Sequence, residues 1–498
     1  MGADVLFIGV DGQDNAVIDA QIKDGSTPAM AALDRRLSRL TVENDPGLGD
    51  GSFWPSAATG GGPSEHGRYF HLHFDPQTYE NRSFDEAADF YREAFWDSLD
   101  AEGRKVSVVD WPRGPFRRVK NGVVLDNWLQ HDPSSRTRSY PENLSRAVIE
   151  QYGADPFGVG MFAHVPKTKE EFRSTLEACV SRVEIKTKYC LDQLKREHWD
   201  VFALAFTEPH DIAHYFYHLC DPDHPKYERE IAEFVGHPLR AIGLAVDRAV
   251  ARLVEATQDS KIMMLSGPGV TTLVTANAVM EQIARRLDLG VEAERSPVES
   301  ARTAYRSAVP LSLRRALSPI KRFMLREPQH PEFRNRRFFA VLHSDQSGCI
   351  RINLKGRERN GTVSPGEEYD RVLHGLIADL EEIRDADSGE PIVESVVRSR
   401  EVYKGPAADV LPDLFVNWRR ARPFYRITSP KIGVIDIPGR DRTGDHTSLG
   451  SFWADRDLLA AFDPRDAVRP RVVRDVVMEA ARCPRVRGNT QEARQTAL

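Results

Sequence analysis

Residues 201–225 read VFALAFTEPHDIAHYFYHLCDPDHP, and this stretch decides both the fold and the candidate site. Its first six residues form an apolar run with β-forming residues at both ends, which predicts a buried strand. The run ends at Thr207-Glu208-Pro209, and a helix beginning near His210 would place His210, His214 and His218 on one face. A strand followed at once by imidazoles is typical of a metal site at the carboxyl edge of an α/β sheet. The alternative interpretation is a solvated helix end that is merely rich in His and Asp.

A second apolar run, at residues 5–10, predicts another buried strand of a parallel sheet, because strands covered on both faces are continuously apolar. The run ends at Asp11, and the adjacent Gly12 permits close approach of the backbone. A carboxylate in this position suits a divalent cation. Alternatively, Asp11 is the N-cap of a helix that begins near Asn15.

Strand patterns alternate with helix patterns along most of the 498 residues, and no internal repeat is evident. This alternation predicts an α/β fold with a doubly wound, mostly parallel sheet flanked by helices. We expect a single domain over residues 1–483, with cap insertions at about 112–198 and 271–345 and a polar tail at 484–498.

Composition and charge indicate a globular protein and argue against a nucleic-acid-binding or membrane-spanning one. The chain is 41% hydrophobic and 29% charged, which is ordinary for a globular protein, and its net charge of −6 gives no general attraction to nucleic acid or acidic membranes. Asp4 precedes the first apolar run, so no signal peptide is predicted, and no run approaches the roughly 20 apolar residues that span a bilayer. We therefore expect a cytoplasmic protein, with free thiols at its scattered cysteines: Cys179, Cys190, Cys220, Cys349 and Cys483.

The loop at residues 43–67 is rich in Gly, Pro, Ser and Asp and contains a second group of candidates. Trp54-Pro55 indicates a short helix, since Pro is favoured in a first turn. Ser52 lies just before it, where the helix end and an adjacent metal would lower the pKa of its hydroxyl and make it a nucleophile. Alternatively, Ser52 is only the N-cap.

Four motifs occur in an order that is specific in combination: VDGQD at residues 10–14, WPSAATGGGPSEHG at 54–67, the His/Asp-rich turn after Phe206, and TGDH at 443–446. With these motifs the chain resembles the alkaline phosphatase superfamily, in particular its type I phosphodiesterase / nucleotide pyrophosphatase branch, from about residue 5 to residue 452. The resemblance implies an alkaline phosphatase-like α/β/α sandwich. It also implies two metal ions, usually zinc or manganese, that flank a Ser or Thr nucleophile.

The resemblance further implies the ligands of each ion. One ion would be held by Asp11 with an Asp-His pair in a late turn. The other would be held by an Asp-x-x-x-His pair and a final His, which match His214 and His446 here, with His210 in place of the usual Asp. Imidazole serves zinc as well as carboxylate does, and Asp211 would support the set. The late turn, however, has Gly267 and Pro268 where Asp and His are expected, so the site at Asp11 would keep one family ligand of three. We therefore expect one or two divalent ions, zinc by preference and manganese as the alternative.

The resemblance leaves two candidates for the nucleophile. Counting back from Thr59-Gly60 without a gap places Asp50 at the Ser/Thr position, whereas a two-residue gap places Ser52 there. We favour Ser52 because it adjoins the start of the predicted helix. Asp50 is retained as a second nucleophile candidate or as a replacement ligand.

The sequence therefore predicts a metal-dependent hydrolase or transferase that acts on a phosphate ester, phosphodiester or sulfate ester. Its partner would be a small anionic substrate, and nucleic acid is not expected. Arg351, Lys355 and Arg357 alternate along a strand-like segment and are candidates to bind the substrate anion. The basic stretch at 302–337 is either an anion-binding lid, a partner-binding arm or a solvated insertion. The alternative function is a non-catalytic relative that binds an anionic ligand or a partner protein.

Overall fold

The computed structural model describes residues 2–84, 89–129, 136–157, 165–291, 333 and 335–483. The basic stretch at 302–337 lies almost entirely outside these residues, and the predicted tail at 484–498 lies wholly outside them. Among the helices that the structure describes, none has the length and apolar character needed to cross a membrane.

The strands are, in chain order, β1 (Gly2–Val10), β2 (Ser38–Glu43), β3 (Leu72–Asp75), β4 (Glu80–Ser83), β5 (Val106–Val109), β6 (Gly122–Asp126), β7 (Arg138–Tyr140), β8 (His198–Phe206), β9 (Lys261–Ser266), β10 (Val270–Thr272), β11 (Phe338–Val341), β12 (Ser347–Ile352), β13 (Arg384–Asp385), β14 (Val393–Arg398), β15 (Leu414–Trp418), β16 (Arg426–Ser429), β17 (Gly433–Asp436), β18 (Gly444–His446) and β19 (Leu449–Ala454).

The α-helices are α1 (Asn15–Lys23), α2 (Pro28–Arg36), α3 (Asp50–Thr59), α4 (Pro63–His66), α5 (Phe95–Ala101), α6 (Leu144–Tyr152), α7 (Lys169–Arg196), α8 (Glu208–Cys220), α9 (Arg229–Val235), α10 (Pro238–Ala256), α11 (Met280–Leu289), α12 (Glu367–Glu381), α13 (Ser399–Val402) and α14 (Val472–Arg482).

The main sheet has eight strands in the order β2-β19-β9-β1-β8-β5-β6-β7. The five inner strands from β9 to β6 are all parallel, while β19 and β7 pair with their neighbours in the antiparallel sense. The apolar runs in β1 and β8 occupy the middle, where both faces are covered. The predicted α/β fold with a mostly parallel sheet is therefore confirmed.

Helices cover both faces of this sheet. Successive side chains of each strand point to opposite faces, so each strand contributes to two separate cores. From β1, Leu6 and Ile8 pack in a core with α2, α7, α8 and α10. Val5 and Phe7 point the other way, into a core with α3, α5 and α14. The carboxyl edge of the sheet is thus bordered by the starts of helices from both layers, α8 on one side and α3 on the other.

A second, antiparallel region lies between β9 and β19 in the sequence. Its four strands run in the order β11-β12-β15-β14, and α11 and α12 pack against them in a core of their own. The chain returns to the main sheet through β18, which pairs with β10 in antiparallel register, so that His446 lies opposite Val270. This return brings the end of the chain to the carboxyl edge of β9.

Candidate active site

Asp11 and His210 meet at the carboxyl edge of neighbouring strands. Asp11 follows β1, and α8 begins at Glu208, two residues after β8 ends. Gly12 has φ +73°, and a Cβ at this position would lie 2.4 Å from the Cα of His210. Glycine is therefore required here, since it lets the loop after β1 touch the first turn of α8.

Three histidines converge at this edge, and we call them the imidazole group: His210, His214 and His446. Their ring centroids are 4.3 to 4.8 Å apart. The Nε2 atoms of His214 and His446 lie 3.2 Å from each other. All three side chains are buried, with one candidate ligand atom from each within 4.8 Å of the others. The structure thus brings together residues that are 236 positions apart in the sequence.

The protons of two of these rings are fixed by the backbone. The Nδ1–H of His214 donates to the carbonyl oxygen of Gly444 at 2.7 Å, and the Nδ1–H of His446 donates to those of Pro268 and Gly269 at 3.2 and 3.3 Å. Carbonyl oxygens only accept, so each neutral ring presents an unprotonated Nε2. Burial lowers the pKa of His446, which keeps this ring neutral.

Two acceptor atoms that face each other repel unless a cation lies between them. In a tetrahedral zinc site with Zn–N distances of about 2.0–2.1 Å, two ligand nitrogens lie roughly 3.3 Å apart. The 3.2 Å between the two Nε2 atoms matches this separation. The backbone carbonyls also act as the outer partners that orient metal-binding imidazoles. The residues of the imidazole group therefore fit a zinc-type ion.

A second cluster, which we call the carboxylate group, adjoins the first: Asp11, Asp50 and Arg113. The two carboxylates lie within 4.8 Å of each other and of His210, whose Nδ1 is 3.3 Å from Oδ2 of Asp11. Arg113 Nη2 lies 2.8 Å from Oδ2 of Asp50. Burial, and then the charge of Asp50, raise the pKa of Asp11 well above its usual range. This side of the site therefore contains two acids and a guanidinium.

The type I phosphodiesterase / nucleotide pyrophosphatase family model matches residues 5–431 of the chain. The chain belongs to this family. Its membership places the protein among phosphoester hydrolases and confirms the resemblance and the expected enzyme class.

Two structures of one solved enzyme share the fold at low sequence identity. Phosphonoacetate hydrolase from Sinorhizobium meliloti 1021 with phosphonoacetate superposes with a TM-score of 0.56 and 13% identity over 96% of this chain and 95% of that one. The same enzyme with phosphonoformate gives 0.53 and 15% over the same shares. Human ectonucleotide pyrophosphatase / phosphodiesterase 5 gives 0.46 and 10% over 97% of this chain and 96% of that one. No curated protein matches the sequence.

The turn after β9 differs from the family pattern at the two positions that the sequence indicates. Gly267 and Pro268 stand at the two expected ligand positions, and the carbonyl oxygens of Pro268 and Gly269 accept from His446 instead. A Cβ on Gly267 would lie 2.7 Å from the Cα of Gly450 on β19. A ligand side chain therefore has no room at Gly267, and the packing of β9 against β19 enforces the loss.

Asp50 lies among the candidate ligands of this family member. Helix α3 begins at Asp50, so Ser52 is its third residue and lies about 200° farther around the helix than Asp50. The Ser52 hydroxyl is 3.5 Å from that of Ser56, which is 3.0 Å from Nε2 of His66. The Nδ1 of His66 accepts from the backbone N–H of Arg68, so Nε2 carries the proton and donates to Ser56.

This arrangement does not activate a serine. Burial lowers the pKa of His66 to about 3, so the ring stays neutral and cannot take a proton from a hydroxyl. The predicted boundary placed Ser52 immediately before the helix. The observed start at Asp50 shifts it inside, where its hydroxyl lies near that of Ser56.

Asp211 contacts a buried cation instead of joining either group. Its Oδ2 accepts from Arg182 Nη1 at 2.9 Å, because the residue after His210 points about 100° farther around the helix. Burial raises the pKa of Asp211 to about 7. The suggestion that it supports the metal directly is thus replaced by an indirect role, since its ion pair fixes the first turn of α8.

Lys186 belongs to the same buried network, which sequence reasoning missed. Its Nζ lies 3.2 Å from both Asp110 and Glu208 and donates to the carbonyl oxygens of Ala205 and Leu129. It therefore joins the ends of β8 and β5 to the start of α8. In the sequence, Lys186 is one of many charged residues in a long helix, and no local pattern indicates that it is buried.

The three cations proposed for substrate binding have other contacts. Arg351 is buried and donates to Glu358 and to carbonyl oxygens at residues 409–411. Arg357 pairs with Asp413, and Lys355 is exposed and donates to Ser364. The structure therefore places the two arginines in ion pairs of the antiparallel region and does not bring any of the three to the imidazole group.

Proposed function

We propose that the protein is a metal-dependent phosphoester hydrolase whose ion is bound by His210, His214 and His446. The observation that carries this proposal is the pair of Nε2 atoms facing each other at 3.2 Å while both Nδ1 atoms donate to carbonyl oxygens. Three imidazoles with an open fourth position are a usual arrangement for catalytic zinc, and manganese is the alternative ion. When bound, such an ion polarises an oxygen of the phosphoryl group.

Asp50 is the nucleophile in this proposal, in place of the Ser52 that the sequence favoured. Its carboxylate occupies the first residue of α3, where the helix N-terminus stabilises negative charge. It is also a candidate ligand atom beside His210. Carboxylate nucleophiles that form aspartyl phosphates are an established solution for phosphoryl transfer.

The reaction then has two balanced steps. An Asp50 oxygen attacks phosphorus, the bond to the ester oxygen breaks, and the leaving alkoxide takes a proton from water. Water next attacks the phosphorus of the aspartyl phosphate, which releases the phosphate product and a proton and regenerates the Asp50 carboxylate. Arg113, 2.8 Å from Asp50, holds the carboxylate in place for both steps.

The test measures ion content and hydrolysis together. Purified protein is analysed for bound metal and assayed with p-nitrophenyl phosphate, bis(p-nitrophenyl) phosphate and p-nitrophenyl sulfate, before and after treatment with 1,10-phenanthroline and re-addition of zinc or manganese. We expect about one ion per chain and phosphoester hydrolysis that the chelator abolishes and the ion restores. A folded protein that binds no ion and hydrolyses none of the three esters would overturn the proposal and favour a binding role.

A further inference from the structure

The carboxylate group does not fit the second metal ion of the family. Gly267 and Pro268 remove two expected ligands, and the contact with Gly450 excludes a side chain at Gly267. His210 lies within reach of both carboxylates as well as of His214 and His446. One neutral imidazole has one unprotonated nitrogen and binds one ion, so with an ion in the imidazole group only the two carboxylates remain for a second. A structural metal site of the zinc type normally has four ligands and a catalytic one three.

We propose that the guanidinium of Arg113 takes the place of the second ion and binds the phosphoryl oxygens of the substrate beside Asp50. This inference rests on the proposed phosphoester hydrolysis at the same site. Arg113 and Asp50 are only 10% and 8% exposed at their side chains and form an ion pair of 2.8 Å. A guanidinium has five N–H donors in one plane, so it can hold a carboxylate along one edge and a phosphoryl group along another.

The loop that carries Arg113 is built to hold it at this place. Arg113 follows β5, whose carboxyl end lies next to that of β8 in the sheet. Trp111 packs edge-on against Trp54 of α3, with ring centroids 5.3 Å apart, which ties the loop to the helix that begins with Asp50. The carbonyl oxygen of Arg113 accepts from Arg68 at 3.0 Å.

The backbone at Arg113 is also in an unfavourable conformation. Its φ is +54°, in the left-handed region that non-glycine residues rarely adopt. Such a conformation persists where surrounding contacts impose it, often at functional sites. The surrounding contacts therefore hold Arg113 in place despite its unfavourable backbone conformation.

A fixed cation beside Asp50 suits the proposed role, because the guanidinium of Arg113 carries the charge that a second ion would otherwise supply. A guanidinium keeps its charge at all working pH values and needs no free ion from solution, so the site would keep a second cation at low metal concentrations.

The experiment compares Arg113→Ala and Arg113→Lys with a matched control, Arg104→Ala. Arg104 lies just before β5, as Arg113 lies just after it, and it too pairs with an aspartate, at 3.0 Å from Asp200. For each protein we would measure bound metal, the inhibition constant of inorganic phosphate, kcat/KM for p-nitrophenyl phosphate, and rescue by added guanidinium chloride below denaturing concentrations.

We expect one ion per chain in all four proteins. Arg113→Ala should lose about a hundredfold in kcat/KM and in phosphate affinity, since a charge-stabilising donor is removed. Arg113→Lys should keep part of both, and guanidinium should partly restore Arg113→Ala, whereas Arg104→Ala should stay within about twofold of the parent on the scale of surface substitutions. Rescue by guanidinium is a response that a purely structural arginine would not give.

Two results would overturn the role of Arg113. The first is a second bound ion in the parent protein. The second is a loss in Arg113→Ala that guanidinium does not restore, with phosphate affinity unchanged. Failure of the proposed function looks different, because the parent would then lack hydrolysis altogether. Calorimetric binding of phosphate to parent and Arg113→Ala would still decide whether Arg113 holds the anion.

Discussion

The imidazole group and the carboxylate group lie side by side at one sheet edge, yet the protein balances their charges differently. In the imidazole group, backbone carbonyl oxygens accept from the Nδ1–H groups of His214 and His446 and leave two acceptor atoms 3.2 Å apart. In the carboxylate group, Asp50 already has a cation from the chain itself, Arg113 at 2.8 Å. On our proposals, the first arrangement binds an ion and the second contains a substitute for one.

On these proposals, one half of a two-ion site is lost while the other half remains. The turn after β9 has Gly267 and Pro268 at the expected ligand positions, and the carbonyl oxygens of Pro268 and Gly269 accept from His446. The same segment would then support the ion of the imidazole group without binding a second one. The following predictions test whether the two groups are as distinct as their contacts indicate.

The largest effect is expected on the imidazole side. His214→Ala removes one of three ligands, so the ion should be lost and hydrolysis should fall by about a thousandfold or more. The matched control is His374→Ala, because His374 is exposed on α12 and bonds only within its own helix. Metal analysis and phosphoester assays check both variants. Full retention of the ion in His214→Ala would move the site away from the imidazole group.

The next effect separates Asp50 from Ser52 on the carboxylate side. Asp50→Asn should reduce turnover by about a thousandfold while the ion stays bound, because the amide is a poor nucleophile. Ser52→Ala should change turnover by less than about threefold, since its hydroxyl contacts only Ser56 among the contacts described above. Hydroxylamine should trap an acyl phosphate in the parent alone. Loss of activity in Ser52→Ala with Asp50→Asn active would restore the serine mechanism.

Features of the fold and site that follow from a local sequence pattern could be predicted, whereas those that depend on residues far apart in the sequence were harder to predict. The strands at β1 and β8 and the parallel sheet follow from continuous apolar runs, which report burial on both faces directly. The three histidines were found because a motif order, and not their spacing alone, linked His446 to α8. Asp50 and Ser52 differ by two positions at a helix start, and helix boundaries are the least certain feature of sequence interpretation.

Arg113 and Lys186 were missed for another reason. Each acts through a partner that is distant in sequence, Asp50 for the first and Asp110 and Glu208 for the second. Nothing local in a Pro/Gly loop or a charged helix indicates such a partner. The same limit explains Arg351, whose alternating pattern suggested a substrate contact while its side chain was paired with Glu358.

The buried network behind both groups gives an effect on stability. Lys186→Met leaves Asp110 and Glu208 without their shared ammonium, so the free energy of unfolding should fall by about 3 kcal/mol. Lys188→Met, at an exposed position of the same helix, should change it by less than about 0.5 kcal/mol. Urea denaturation at one fixed zinc concentration compares the two. Equal values would show that the network adds nothing beyond helix packing.

The smallest effect concerns the Ser52 side of α3 and depends on pH. His66 is fully buried with a pKa of about 3, against about 6.5 in an unfolded chain, so the unfolded state binds the proton more tightly. The free energy of unfolding should therefore fall as pH drops below about 6.5 and continue to fall towards pH 3, with a loss from this residue of about 2 kcal/mol between pH 7 and pH 5. His66→Gln, which keeps a donor for Ser56, should remove that part of the loss while leaving hydrolysis at pH 7 nearly unchanged. If His66→Gln instead abolished hydrolysis and left the acid sensitivity intact, the ring would be a working base, and the contrast between the Ser52 and Asp50 sides of the helix would fail.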